Sequence, residues 1–198
     1  MNQATDDTRS GPEFYIRDLP PDSERYVHEA AMLLVEGFRE GWPDAWPTLE
    51  DALDEVREAL EPDRVARMAV DDAGQLLGWI GAISEYGGHA WELHPLVVRP
   101  DLQGRGIGRA LVEDLEAQLG PRGCITLFAG SDDETGMTTL SGIDLYPDVW
   151  PHIARIQNLR GHPYTFYQKV GFVITGVLPD ANGPGKPDIL LAKRIKAE

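Results

Sequence analysis

One stretch, Val97 to Leu115, constrains the fold of this 198-residue chain more than any other. Val97-Val98 runs into Arg99-Pro100-Asp101-Leu102-Gln103-Gly104-Arg105-Gly106-Ile107-Gly108-Arg109, after which Ile107, Leu111, Leu115 and Leu119 recur at helical spacing. A strand therefore passes through a glycine-rich turn into a helix. Gly120-Pro121 stops that helix, and Cys124 to Ala129 reads as a short apolar strand buried on both faces. The second strand returns beside the first through a right-handed crossover, so the two are parallel. Lacking Cβ atoms, Gly104, Gly106 and Gly108 let backbone N–H groups approach an anion, and the helix N-terminus adds partial positive charge. The Gly-Lys-Ser/Thr of a P-loop is absent, and Gly-x-Gly-x-x-Gly spacing is not met.

The rest of the chain supplies partners for this unit. Glu13 to Asp18 alternates as a strand, and Val27, Ala30, Ala31, Leu34 and Phe38 mark a first helix that ends at Gly41-Trp42-Pro43. Thr48 caps a second helix carrying Leu49, Ala52, Leu53, Val56 and Leu60. Arg64 to Val70 and Gln75 to Ser84 form a hairpin across Asp71-Asp72-Ala73-Gly74, and Ala90 to Val98 is a third antiparallel strand. After Ala129 come an acidic loop from Ser131, a helical region ending near Val170, a strand Phe172 to Leu178, an excursion Pro179 to Pro187, and a last strand Asp188 to Lys193. This order predicts an α+β fold: a mixed, mostly antiparallel sheet with helices on both faces and a ligand at the crossover. Residues 13–198 are expected to form one domain behind a disordered tail, residues 1–12.

Composition narrows the function. A net charge of −15 repels nucleic acid and attracts a cationic ligand. No apolar run is long enough to span a bilayer, and no secretory signal is readable, so a cytoplasmic protein is expected. Cys124 is the lone cysteine and the five histidines show no zinc spacing, so no metal is implied.

The turn Gln103-Gly104-Arg105-Gly106-Ile107-Gly108 resembles the Gln/Arg-x-x-Gly-x-Gly/Ala signature of the GNAT superfamily of acyl-CoA transferases. Downstream, Phe166-Tyr167-Gln168-Lys169-Val170-Gly171-Phe172 is similar to that family's Tyr-x-Lys-x-Gly-Phe segment. The resemblance implies the GNAT fold and acetyl-CoA as cosubstrate. It puts the pyrophosphate on the loop Gln103, Gly104, Arg105, Gly106, Ile107, Gly108 and Arg109, and the pantetheine arm along Leu96, Val97 and Val98. Asn158 resembles a CoA-binding asparagine, at a longer spacing to Tyr167 than usual, and Tyr167 resembles the family's general acid.

Acetyl transfer to an amine needs a neutral amine, oxyanion stabilisation and a proton for the leaving thiolate. In Trp91-Glu92-Leu93-His94-Pro95-Leu96-Val97-Val98, strict alternation places Glu92, His94 and Leu96 on one face and Trp91, Leu93 and Val97 on the other. Pro95 lacks an N–H and predicts a bulge or splay that frees neighbouring amides. By the resemblance, Leu96 N–H meets the thioester carbonyl and Val98 N–H the pantetheine. Glu92 is the first choice for the general base, directly or through a water, because an ammonium substrate also needs a nearby anion; His94 and bulk water are the alternatives.

Further segments resemble the aminoglycoside 6'-N-acetyltransferases: Trp91 to Val98, Asp144-Leu145-Tyr146, Ile156 to Arg160, His162-Pro163-Tyr164 and Gly176 to Gly183. Gly41-Trp42-Pro43 resembles a segment lining their substrate site, which assigns Trp42 to a sugar ring. With Glu92 and His94, Asp132, Asp133 and Glu134 are then candidates to pair with ammonium groups of the acceptor. A homodimer follows by analogy. Another amine acceptor, a protein N-terminus or a polyamine, and a non-catalytic acetyl-CoA-binding regulator are the alternatives.

Overall fold

The computed structural model describes residues 13–195, and the expected N-terminal tail lies outside the described residues. Seven strands form one sheet in the order β1-β2-β3-β4-β5-β7-β6. They are β1 (Phe14–Asp18), β2 (Arg64–Asp71), β3 (Leu76–Glu85), β4 (Ala90–Val98), β5 (Thr126–Ala129), β6 (Val173–Leu178) and β7 (Asp188–Arg194). All neighbours are antiparallel except β4 and β5, the crossover pair.

Helices cover both faces. Helix α1 (Glu24–Phe38) starts at Ser23, and α2 (Leu49–Ala59) starts in a capping box between Thr48 and Asp51. Their apolar faces meet Met68, Val70, Trp79 and Val97 of β2 to β4. On the other face α3 (Ile107–Leu119) buries Ile107, Leu111, Val112, Leu115 and Leu119 against Ile80, Leu93, Leu127, Ile189 and Leu191. Buried Arg67 of β2 forks onto Asp114 of α3 (2.6 and 3.1 Å) and also reaches Asp18. Burial works against the guanidinium charge, and the two carboxylates outweigh it. The Arg67–Asp114 pair links α3 to β2 across this face of the sheet.

Several expectations are corrected. The helical region before Val170 consists of two helices of six residues, α4 (Val149–Ala154) and α5 (Tyr164–Lys169), set in a long loop. Strand β5 is not buried on both faces, since only Leu127 and Ala129 are. The α1/α2 layer extends over β2, β3 and β4, and among the described residues its core takes in no side chain of β5 to β7, so it leaves that face open beyond β4.

The alternation along β4 is corrected as well. Ala82 pairs with Leu93 and Ile80 with Leu96, so His94 and Pro95 together oppose Gly81 alone. This is the bulge expected at Pro95, and it shifts the side-chain phase by one residue. Trp91, Leu93, Leu96 and Val98 consequently face α3, while Val97 packs with the α1/α2 core. Glu92 and His94 still share a face, but Leu96 is not on it. Gly81 is required here, because a Cβ would collide with the His94 carbonyl.

Candidate active site

Strand β4 pairs with β3 along its length but with β5 only from Ala90 to Glu92. From Leu93 to Val98 its β5-side edge has no strand partner among the described residues, and a wedge opens between the two parallel strands. Backbone groups on that edge face the gap instead of a ladder.

The glycine turn lies at the mouth of this wedge, just beyond the Val98 end of β4. Gly104 and Gly106 have left-handed φ of 77° and 89°, and a Cβ on either would meet nothing within 4 Å. Gly106 is the N-cap of α3 and no side chain caps it, so the first-turn N–H groups remain available to an anion. Gly108 serves packing instead. A Cβ there would lie 3.3 Å from the Phe166 ring and 3.7 Å from Val98 Cγ2, so its absence lets α5 pack at the α3–β4 junction. The Gln103 amide donates to Val98 O (3.4 Å) and the Arg109 guanidinium to Lys169 O (3.3 Å), while Arg105 is exposed. Val97 and Ile107 have side chains in the two cores, which leaves only their backbones to the turn.

Tyr167, on α5, is 9% exposed and packs edge-on against Phe166 and Phe172, with ring centroids 5.4 Å away in each case. Burial pushes its hydroxyl well above the ordinary phenol value, so the proton stays on. Asn158, resembling a CoA-binding asparagine, has partners within the fold. Its carboxamide donates to His162 O (2.7 Å) and Thr165 Oγ1 and accepts from His162 N, which closes the loop leading into α5.

Glu92 and His94 sit on the other side of the sheet, where the α1/α2 layer ends and the open part of that face begins. Burial opposes the charge on His94, but Glu55 of α2, with its Oε1 3.6 Å from His94 Nε2, and Glu92 together raise the imidazole above its usual value. Burial of Glu55 pulls the other way, yet His94, Trp46 and Arg64 hold its carboxyl low. Trp46 flanks the imidazole, with a centroid separation of 5.8 Å.

The acidic loop divides into different roles. The Asp132 carbonyl accepts from the Trp42 indole (2.9 Å) and from buried His162, whose Nδ1 accepts from Tyr164 N and whose Nε2 therefore carries the proton. The Asp132 carboxylate is held by Asn182. Asp133 does not fit an acceptor-binding role: it is fully buried, with its carboxylate spent on Met137 N (2.6 Å) and Thr138 N (2.7 Å). Glu134 faces Lys186 at 3.8 Å. Trp42 packs against Phe38 and ties α1 to the loop through its indole N–H.

Residues 28–146 match the acetyltransferase (GNAT) family. The chain belongs to this family. Among solved structures, an aminoglycoside 6'-N-acetyltransferase complexed with coenzyme A is 42% identical, with a TM-score of 0.84 over 93% of this chain and 98% of that one. The aminoglycoside 6'-N-acetyltransferase from Enterococcus faecium is also 42% identical, with a TM-score of 0.82 over the same shares. Acetyltransferase SG1711 of Sodalis glossinidius is 34% identical over 82 residues, 40% of this chain and 56% of that protein, so the match spans little more than half of that relative.

In this GNAT acetyltransferase two acidic residues beside the candidate site escape motif reading. Asp188 opens β7 and bridges to Asp132, on the same side of the sheet as Glu92. Its carboxylate accepts from Ser131 N (2.6 Å) and lies against Gly130, where a Cβ would come within 2.7 Å of it. Burial first, then Asp132 and Glu92, raise it to about 6. Glu55 is the other, on a helix with no signature. Neither has a sequence neighbour that signals chemistry, and only the sheet order and the α2 packing bring them to Glu92 and His94. No described helix is long and apolar enough to cross a membrane, and no group of three or more His, Cys, Asp or Glu among the described residues is arranged to hold a metal.

Proposed function

We propose that this enzyme transfers acetyl from acetyl-CoA to the 6'-amine of an aminoglycoside. The observation that carries this reading is the junction of an open anion turn and an unpaired β4 edge with an acidic face formed by Glu92, Asp132 and Asp188. Similarity to the two 6'-N-acetyltransferases over nearly the whole chain supports it. Acetyl-CoA fits the residues present: Gly104, Gly106 and the first turn of α3 suit its pyrophosphate, and the β4 edge from Leu96 to Val98 suits its amide-bearing arm. When bound, it supplies an activated acyl group as a thioester.

The chain's own residues perform the remaining work. Glu92, beside His94 on the open face, attracts the acceptor ammonium and takes its proton, directly or through water, leaving a neutral amine. His94 is held raised by Glu55 and Glu92, which makes it the weaker candidate for this step and the better one for orienting Glu92. Leu96 N–H, freed beside the bulge, donates to the thioester carbonyl as negative charge develops there. Tyr167 keeps its proton until charge builds on sulfur, then hydrogen-bonds and protonates it as the C–S bond breaks, and the proton that the acetylated nitrogen sheds returns through solvent to the phenolate. Asp132 and Asp188 attract further ammonium groups, and Trp42 borders the sugar. The same reading makes the enzyme cytoplasmic and homodimeric, and confers resistance to the drugs it acetylates.

Incubation with acetyl-CoA and an aminoglycoside bearing a 6'-amine is expected to give a mono-acetylated product by mass spectrometry, and one bearing a 6'-hydroxyl to give none at that position. Acetylation of polyamines or peptide N-termini in place of any aminoglycoside would overturn the assignment of the acceptor.

A further inference from the structure

The two CoA signatures, the glycine turn and the Tyr-x-Lys-x-Gly-Phe segment, lie on α3 and α5, and one side chain from β7 joins them. Lys193 Nζ is 2.5 Å from Glu116 Oε1 in the last turn of α3 and donates to Val170 O, at the end of α5, at 2.7 Å. Both side chains of the ion pair are only 22% exposed. A charge-assisted bond to a carbonyl at a helix C-terminus is favourable both as a hydrogen bond and against the helix dipole.

The sequence around this contact suits it. Gly171 takes a φ of 97°, and a Cβ there would lie 3.1 Å from Lys193 Cε and 3.3 Å from its Nζ. The glycine of the second signature thus turns the chain out of α5 and makes room for the lysine stem. Lys169, the lysine of that signature, has an exposed side chain and contributes its carbonyl to Arg109 of α3. A helix of six residues has few bonds of its own, and α5 is held at its C-terminal end by Lys193 and Arg109.

We propose that Lys193 is a positioning residue for Tyr167, fixing the end of α5 to the last turn of α3, the helix whose first turn borders the anion turn, so that the Tyr167 hydroxyl keeps its place relative to that turn. The proposal rests on Tyr167 as the group that protonates sulfur. A displacement of about 1 Å at a reacting group costs up to about 10²-fold in rate, so a tether three residues away has kinetic consequences.

The test compares Glu116→Gln with Glu116→Gln/Lys193→Met, each with Tyr167 and with Tyr167→Phe, so that no buried carboxylate is left unpaired. Glu116→Gln keeps an amide oxygen to accept from Lys193 Nζ and leaves the bond to Val170 O, so the link from α5 to α3 persists without its charge, and kcat is expected to stay within about twofold while thermal stability falls. Adding Lys193→Met is expected to lower kcat about tenfold with Tyr167 present and less than about twofold in the Tyr167→Phe background. In the free protein, without any ligand, the Val170 and Phe172 amides, which bond to carbonyls of α5, should exchange faster only in the variant lacking Lys193. An equal loss of kcat in both backgrounds, or unchanged amide exchange, overturns the positioning role. No loss from Tyr167→Phe itself overturns the role of Tyr167 instead, which separates the two failures.

Discussion

On the α3 side of the β4–β5 wedge, the groups offered to a ligand belong to the backbone: the first-turn N–H groups behind Gly106, the turn around Gly104, and the unpaired edge of β4. On the opposite face they are side chains, Glu92, His94, Asp132 and Asp188, drawn from β4, the loop after β5 and the start of β7. A backbone site is specified by what is missing, a Cβ or a strand partner, and any sequence that keeps the turn can keep it. A side-chain site is specified by which elements meet. The first suits a cosubstrate shared across a family, and the second suits an acceptor that varies between its members.

The sharpest way to break this comparison is at Glu92. Glu92→Gln is expected to lower kcat/KM for the acceptor by about 10²–10³-fold, with the largest deficit at low pH, where fewer amines are already neutral. A pH–rate profile parallel to that of the wild type would remove Glu92 as base and return the step to His94 or water.

A smaller effect tests the backbone side. Gly106→Val places a β-branched residue at a φ of 89°, and the strained turn is expected to raise the KM for acetyl-CoA about tenfold while leaving that for the acceptor within about twofold. Gly108→Val should instead displace Phe166 and lower the melting temperature. If the two variants gave the same pattern, the division of labour among the glycines would be wrong.

The smallest expected effect is at Asp188. Its carboxyl titrates near 6 in the folded protein against 3.8 ordinarily, so the native state binds the extra proton between those values and loses stability as pH rises through them. Asp188→Asn keeps an acceptor for Ser131 N and removes the charge. It should melt above the wild type beyond pH 6 and together with it below about pH 4, while binding a cationic acceptor more weakly at pH 8. A stability difference independent of pH would show that Asp188 is not the group raised.

The fold was largely legible because its signals are local: the Thr48–Asp51 cap, the Asp71–Gly74 turn, and the crossover forced by a strand, a glycine turn, a helix and a strand. The site was legible in proportion to how local its parts are. Gly104 and Gly106 have the geometry an anion turn needs, whereas Gly108, identical in sequence, serves packing against a residue 58 positions away. Asp132, Asp133 and Glu134 are equivalent as a run of charges, yet one borders the cleft, one is fully buried on backbone amides, and one faces a lysine.

By itself, then, the sequence determined the order of elements, the glycine turn, the bulge at Pro95 and the pairing of Glu92 with His94 on one face, because each depends on residues within a few positions of one another. Only the tertiary structure decided that Leu96 turns away from that face, that Glu55 and Asp188 join it, and that Lys193 links α3 to α5. Those depend on strand register and on which helix covers which strand, and both are set by contacts between residues far apart in the chain.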